Sequence, residues 1–439
     1  MRSRRPASGF ALAVSAVLVL VGGTGLFLHL LREHFAIEGP FMRATAGALL
    51  AFLGILLLRY VTLLWFAFLN HVESGAELTS DHEPLVSIVV PAFNEERVID
   101  SVIRSLAELN YSRYEIIIVD DGSSDGTYRR ALALTRGNQR VAVRTVSQRN
   151  AGKARALQHG ITVASGAYVL CVDSDSVLAP DSLRAAMRHF RDPAVGAVAG
   201  NIKVSNRVNV LTWLQALEYV EGLNLARSAQ AFFRIVNIVP GPLGVFRREA
   251  IVGAGGHSGD TYAEDCDLTL ALLERGWKIK YEPRAIAYTE APERFMPLMK
   301  QRYRWTRGIL QALRKHRGAP PGGRTTLGAR ITVAYMLFEA IAWPIMNVVA
   351  NVFLVAVALR YGFSRLLVLW WLELTLLDAV GALFSVAAEG EDFRLVPFAL
   401  LYRMSYTLLI DIAKCLASLE ELMGRSMTWG KLERVGRLP

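Results

Sequence analysis

Cysteine is scarce: Cys171, Cys266 and Cys415 are the three in 439 residues. They stand far apart and match no metal-ligand spacing, so a cysteine metal site is excluded and all three read as reduced and buried. Charge is also thin, at 20% of residues against 52% hydrophobic. With a mean hydropathy of +0.29, the chain is too apolar for a typical soluble protein. It is too charged for an all-membrane bundle. A soluble core joined to membrane spans is the expectation. There is no internal repeat and no low-complexity tract. No Gly-x-Gly-x-x-Gly follows the first predicted strand. Asn94-Glu95-Glu96 stands there instead, and its charge would repel a pyrophosphate that lacks a metal. A dinucleotide-dependent oxidoreductase is therefore a poor fit.

The net charge is +10. Nucleic-acid binding could account for it, but Lys and Arg on the cytoplasmic flanks of spans account for it better, because the spans are visible. An apolar run at 9–31 follows the basic start Met1-Arg2-Ser3-Arg4-Arg5, and a second run occupies 45–69. The first is long for a cleaved signal peptide, and no domain separates it from the second, so two spans are expected. The N-terminus would then lie in the cytoplasm, with the chain returning there near Asn70. Residues 292–318 read as an amphipathic helix at the membrane surface. Apolar segments follow at 330–359, 364–387 and 396–418. The last carries Arg403, Asp411 and Lys414. Either these charges face a bundle interior or the segment lies partly in the interface. The domain expectation is two spans in 1–72, an α/β domain in 80–290, and interfacial helices in 291–328. C-terminal spans in 329–420 and a tail in 421–439 complete it.

Between about 85 and 290 short Val- and Ile-rich runs alternate with helical patterns. Ser87–Val90, Ile116–Val119, Tyr168–Val172 and Val195–Ala199 read as buried strands. Segments 95–109, 125–136, 152–164 and 181–191 read as helices. This alternation predicts a mostly parallel, Rossmann-like sheet covered on both faces. In such sheets ligands bind beyond the carboxyl ends of strands, so chemistry should cluster there.

It does. Pro91-Ala92-Phe93-Asn94-Glu95-Glu96 follows the first strand, Asp120-Asp121-Gly122-Ser123-Ser124-Asp125 the second, and Asp173-Ser174-Asp175 the third. Any one could be ordinary turn chemistry; three acidic clusters at successive strand ends fit chance poorly. In extended chain, Asp173 and Asp175 would point the same way. Their hard oxygens suit Mg²⁺ or Mn²⁺ bridging to a diphosphate, where the metal would ease departure of the nucleotide. Lys153 opens a predicted helix and could attract phosphate there, or be a solvated surface lysine. Asp265, in Thr261-Tyr262-Ala263-Glu264-Asp265, is the best candidate for a general base. A helix N-cap is the plainer role for one of these crowded acids, and the crowding could raise a carboxyl pKa. Gln301, Arg304 and Trp305 share one helix face. Arg304 can offer a planar fork to a diphosphate, and Trp305 can stack on a sugar or anchor at an interface.

These motifs, in this order and flanked by apolar segments, resemble the membrane-bound, processive family 2 glycosyltransferases. That group includes cellulose, chitin-oligosaccharide, hyaluronan and poly-N-acetylglucosamine synthases. The resemblance covers about residues 85–315. It implies a GT-A α/β domain combined with helical transmembrane segments, and inverting transfer from a UDP-sugar, UDP-N-acetylglucosamine or UDP-glucose, to a growing β-linked polysaccharide exported through the membrane. It assigns Pro91, Ala92, Asn94, Glu95, Asp121, Lys153, Asp173 and Arg304 to the donor. Asp173 and Asp175 go to the metal, Mg²⁺ or Mn²⁺, and Asp265 to the catalytic base. On the acceptor side stand Gly241, Pro242, Leu243, Glu264, Gln301 and Trp305.

There are departures. Ala263 stands where the family often has Thr, directly before Glu-Asp. The terminal Thr428-Trp429-Gly430-Lys431-Leu432-Glu433-Arg434 is similar to the gating segment of hyaluronan synthases, with Lys431 in place of Thr. Trp429, Lys431 and Arg434 are gating candidates on that basis. Nothing like a cyclic-di-GMP-binding domain follows the spans. Two spans before the domain and three after it would put this basic tail outside, against its Lys and Arg content. One C-terminal segment is therefore expected to be interfacial or re-entrant, with Pro344 and the charged 396–418 stretch as the two places for it. The resemblance places the protein in a membrane, a bacterial inner membrane, with its catalytic domain cytoplasmic. The expected partners are a UDP-sugar, a polysaccharide or lipid acceptor and the bilayer, with room for an accessory membrane subunit and none for nucleic acid. Single-sugar transfer to a lipid, and an inactive scaffold or transporter, are the competing functions.

Overall fold

The computed structural model describes residues 6–34, 39–74, 83–137, 141–317, 327–362 and 364–425. Two apolar helices come first, α1 (Pro6–His34) and α2 (Gly39–Ser74). The α/β domain then begins with β1 (Val86–Ala92), α3 (Ile99–Ala107), β2 (Tyr114–Asp120) and α4 (Thr127–Gly137). It continues with β3 (Ala142–Ser147), α5 (Lys153–Val163), β4 (Tyr168–Cys171), β5 (Ser176–Leu178) and α6 (Ser182–Met187). Next come β6 (Val195–Val204), α7 (Val210–Leu217), a π-helical stretch Glu218–Asn224 and α8 (Leu225–Phe232). β7 (Gly244–Arg247), α9 (Arg248–Gly253), α10 (Glu264–Glu274), β8 (Lys278–Thr289) and α11 (Phe295–Lys315) complete it.

The eight strands form one sheet in the order β3-β2-β1-β4-β7-β6-β8-β5. β1, β2, β3 and β4 pair in parallel, as do β6 and β8, whereas β4–β7, β6–β7 and β5–β8 are antiparallel. The sheet is thus of the expected GT-A kind, mixed and mostly parallel. Every residue of β1 and β2 is buried, as required of central strands covered on both faces. Separate apolar clusters lie on the two faces: Ile88, Val90, Ile116 and Ile118 on one, Val89, Ile117 and Val119 on the other. The short antiparallel strands β5 and β7 were invisible to pattern reading because three or four residues carry no periodicity.

After α11 come α12 (Leu327–Leu337), a π-helical turn Phe338–Ala342, α13 (Trp343–Tyr361) and α14 (Ser364–Glu389). A 3₁₀ turn (Phe393–Phe398), α15 (Ala399–Leu401), a π-helical stretch Tyr402–Thr407 and α16 (Leu408–Leu422) follow. Among the described residues, four helical runs are long and apolar enough to cross a membrane: Phe10–Arg32, Ala46–Glu73, Leu327–Arg360 and Leu367–Glu389. The run through Pro344 is continuous, its π-helical turn lying just before the proline, so no re-entrant break occurs there. The 393–422 segment, in contrast, is bent by 65°. Its start and its end both touch the sheet domain. Glu391 pairs with Lys203 (2.8 Å) and Arg207 (2.9 Å), and Glu421 pairs with Arg307 (2.9 Å). Both ends of the segment thus contact the sheet domain, and the bend has the shape of either a broken span or a re-entrant segment. The charges inside it face the bundle: Arg403 pairs with buried Asp378, and buried Asp411 accepts from Asn347 Nδ2 (2.7 Å). Cys171 and Cys266 are buried, but Cys415 is only half-buried. Trp429, Lys431 and Arg434 lie outside the described residues.

Candidate active site

The loops after β1 and β2 are stitched together. The Asn94 N–H donates to Ser123 Oγ (2.9 Å), and its Oδ1 accepts from the Ser124 N–H (2.8 Å). The Glu95 N–H donates to Thr127 Oγ1 (2.8 Å). Pro91 and Ala92 are buried within β1, leaving Asn94 and Glu95 beyond the strand end. Asp121 is buried and its carboxylate is engaged. Oδ1 accepts from Gln148 Nε2 (2.7 Å) and the Ala151 N–H (2.9 Å), and Oδ2 from the Gly152 N–H (2.8 Å). A carboxylate accepting two backbone N–H groups fixes a loop strongly, and this loop delivers Lys153 as the first residue of α5.

Lys153 is the hub. Its Nζ lies 2.7 Å from Asp173 Oδ1 and 2.7 Å from Glu264 Oε1. One ammonium thus joins the Asp-x-Asp motif to the Glu-Asp motif, although the two lie far apart in sequence. Burial works against the Lys153 charge, yet Asp173, Glu264 and Asp265 together hold its pKa well above the lysine range. Glu264 is half-buried; burial works against its charge, and the ammonium holds it below the usual carboxylate range. Asp173 is raised by burial, against the pull of Lys153, and Asp175 adds to the rise. The plainer reading of Lys153 as a solvated surface side chain does not survive this geometry.

Asp173 and Asp175 do not sit in extended chain as the alternating spacing implies. The Ser176 N–H donates to the Asp173 carbonyl (3.0 Å), which makes 173–176 a tight turn between β4 and β5. β5 then pairs with the last residues of β8, Ser176 opposite Thr289, six residues before α11 begins. The motif is therefore held against the entry to α11. Among the described residues no three His, Cys, Asp or Glu side chains converge as a ready-made metal cage. Asp173 and Asp175, two carboxylates at one turn, would hold a divalent cation with the small protein share usual for Mg²⁺, and such an ion would supply charge neutralisation there. Gly241 faces the same spot: a Cβ there would lie 2.9 Å from both Asp173 oxygens and from Lys153 Nζ. Any larger residue there would push the Asp173 and Lys153 side chains aside. Pro242 is half-buried beside it, while Leu243 is wholly buried under Gly200 and anchors the loop from below.

Asp265 is the second residue of α10, whose first turn holds three acids, Glu264, Asp265 and Asp267. Negative charge is favourable at a helix N-terminus. Ala263, rather than an acid, occupies the N-cap. Burial, with Glu264 beside it, pushes Asp265 up to about 6, against the opposing pull of Lys153. A carboxylate at that level accepts a proton far more readily than an ordinary aspartate. Its backbone carbonyl accepts from Thr269 Oγ1 (2.6 Å), whose oxygen accepts from the Val239 N–H (3.0 Å). This chain of hydrogen bonds ties Asp265 to the loop that leads to Gly241.

Gln301, Arg304 and Trp305 lie on α11; Gln301 is buried, the other two half-buried. Gly308 lets this helix press on the start of α10, since a Cβ there would meet the Ala263 backbone nitrogen at 2.6 Å. Lys315 and His316 close the far end: His316 contacts Asp267 (2.8 Å) and Glu274 (2.9 Å), and Lys315 contacts Asp267 (2.9 Å). These two acids, helped by hydrogen bonds, raise His316 to about 9 although burial opposes it. Sequence reasoning missed Arg302, Arg307 and Gly308. A glycine and two arginines on the core side of an amphipathic helix were the available signal.

A GT-A sheet with acid clusters at its strand ends, joined through one lysine to the helix-borne Glu264, has the arrangement expected of a glycosyltransferase. Residues 87–252 match the family described as glycosyl transferase family 2. The chain is 34% identical over 224 residues to poly-beta-1,6-N-acetyl-D-glucosamine synthase of Staphylococcus aureus, covering 51% of this chain and 54% of the relative. It therefore spans about half the length of that relative. The synthase of the same name from Staphylococcus epidermidis is 30% identical over 298 residues, covering 65% of this chain and 71% of the relative. Among solved structures, a mannosyltransferase from Pyrobaculum calidifontis in complex with GDP-Man and Mn²⁺ shares the fold. Its TM-score is 0.62 at 22% identity, over 87% of this chain and 99% of that one. The chain belongs to the family 2 glycosyltransferases.

Proposed function

We propose that this enzyme is an inverting polysaccharide synthase that adds N-acetylglucosamine from UDP-N-acetylglucosamine to the end of a β-linked chain. The observation that carries this reading is Lys153, which brings Asp173 and Glu264 to 2.7 Å of one ammonium and so sets a diphosphate site beside a base. Asp173 and Asp175 would hold a divalent cation, Mg²⁺ or Mn²⁺, which when bound neutralises charge on the departing diphosphate. Lys153 and Arg304 add positive charge for the same oxygens, and Asn94 and Glu95 border the nucleotide end. Asp265 takes the proton from an acceptor hydroxyl as that oxygen bonds to the anomeric carbon. The bond from that carbon to the diphosphate breaks, and UDP leaves with the electron pair. Attack opposite the leaving group inverts the configuration. Trp305 offers a stacking face to the terminal acceptor sugar, with Gly241 and Pro242 on the other side.

The printed names of the Staphylococcus relatives support N-acetylglucosamine over glucose. The four apolar helices support a membrane location, and the basic balance supports a cytoplasmic catalytic domain. α16 ends against α11 through Arg307 and Glu421, which supports the reading of Trp429, Lys431 and Arg434, outside the described residues, as a gating segment.

The test is purified full-length protein with labelled UDP-N-acetylglucosamine or UDP-glucose and either metal, with products resolved by length. A ladder made from UDP-N-acetylglucosamine is expected. Label confined to a single glycolipid band would overturn polymer synthesis in favour of lipid glycosylation, and a ladder from UDP-glucose alone would overturn the sugar.

A further inference from the structure

Trp305 is not held by apolar packing alone. The Arg302 guanidinium lies over its ring, 4.2 Å from the centroid, well inside cation–π range. Arg302 is itself buried. It donates from Nε (3.2 Å) and Nη2 (2.5 Å) to the two oxygens of Glu218, and from Nη1 to Gln301 Oε1 (2.6 Å). The same Glu218 oxygen accepts from Tyr406 Oη (2.5 Å). Glu218 opens the π-helical stretch Glu218–Asn224, and Tyr406 belongs to the π-helical stretch Tyr402–Thr407 of the bent segment. Such stretches recur at functional sites because they re-aim side chains within a helix. Glu218 and Tyr406 also line a polar cavity of about 130 Å³, together with Glu221, Tyr402 and Arg403.

We propose that Arg302, Glu218 and Tyr406 form a positioning relay that sets the angle of Trp305 and so determines how the acceptor's terminal sugar stacks. The inference rests on the reading of Trp305 as the acceptor platform. The guanidinium covers one face of the half-buried indole, and the part of the ring that stays exposed is the surface on which the sugar would stack. A guanidinium locked by a carboxylate on a different helix fixes the ring plane more firmly than dispersion contacts can. The far end of the relay is the bent membrane segment, so the membrane region reaches the acceptor site through three side chains. None of the three touches the donor side, which depends on Lys153, Asp173 and Asp265.

The test compares Arg302→Lys, Glu218→Gln and Tyr406→Phe with wild type in purified full-length protein. UDP release from UDP-N-acetylglucosamine without acceptor reads the donor side, and transfer to a short N-acetylglucosamine oligosaccharide reads the acceptor side. The acceptor KM is expected to rise about tenfold for the first two variants and less for Tyr406→Phe. Acceptor-free UDP release should stay within about twofold of wild type. An unchanged acceptor KM in variants that keep wild-type UDP release overturns the relay. So does a parallel loss of both activities in Tyr406→Phe, the variant that removes one hydroxyl and retains the fold. If wild type itself transfers nothing to the oligosaccharide, the acceptor reading of Trp305 falls, and the relay with it.

Discussion

The two walls proposed for the site, the nucleotide-side loops and the acceptor-side helices, differ in how far the chain travels to build them, apart from the long-range Lys153–Glu264 pair that joins one to the other. On the donor wall, Asn94 meets Ser124 and Asp121 meets Gly152, pairs separated by 30 and 31 residues. On the acceptor wall, Arg302 meets Glu218 across 84 residues, and Arg307 meets Glu421 across 114. The donor wall uses backbone N–H groups at strand ends, which the parallel sheet supplies wherever its sequence alternates. The acceptor wall uses buried ion pairs between helices. These need both partners in place, because either charge left alone in the interior is costly. The comparison teaches that the loops proposed for the nucleotide are set by the sheet, whereas the helix proposed for the acceptor is set by ion pairs with distant helices.

Substitution of Asp265 should have the largest effect, since the base serves both walls. Asp265→Asn should lower transfer by about 10²–10⁴-fold while donor binding persists; equal product from the variant would remove Asp265 from the chemistry. In the parent enzyme kcat/KM should rise with pH through about 6, because the deprotonated form is the base. Removing the adjacent like charge with Glu264→Gln should move that limb to lower pH. A limb that stays in place would show that another group titrates.

Arg307→Met tests the acceptor wall alone. It leaves buried Glu421 without its main partner, at a cost of about 3–5 kcal/mol. Thermal unfolding in detergent should report that loss, with acceptor transfer falling more than acceptor-free UDP release. Equal losses in both activities would erase the distinction between the walls. Gly308→Ala should cost less, about 1–3 kcal/mol, because α11 must shift away from the Ala263 backbone to seat one methyl group.

The smallest effect concerns the end of α11. Protonated His316 between Asp267 and Glu274 has a folded pKa of about 9, above the ordinary value of about 6.5. Its stabilisation is complete below about 6.5 and disappears as pH rises through about 9, worth about 1–3 kcal/mol. Amide exchange at the C-terminal turn of α11 should quicken across that interval. In His316→Gln the same exchange should be insensitive to pH beyond the ordinary hydroxide dependence.

Much of this was legible in the chain. Val- and Ile-rich runs locate β1, β2, β4 and β6, because a strand buried on both faces must be apolar throughout. The acids at their ends followed from the same rule. β8 was not legible, because its twelve residues mix Lys, Glu and Arg with apolar ones and imitate a surface segment. Arg302 looked like one more cation on a basic helix. Its burial comes from Glu218, and no local pattern connects residues 84 apart.

The sequence by itself determined the alternating α/β domain, the apolar helices on both sides of it and the residues that crowd its strand ends. Local periodicity and turn chemistry suffice for these. Only the tertiary structure decided that Lys153 binds Asp173 to Glu264, that the 393–422 segment bends back against the sheet domain through Glu421 and Arg307, and that Arg302 lies over Trp305. Each of these depends on which charge finds which partner once the chain is compact, a choice set by the cost of burying an unpaired ion.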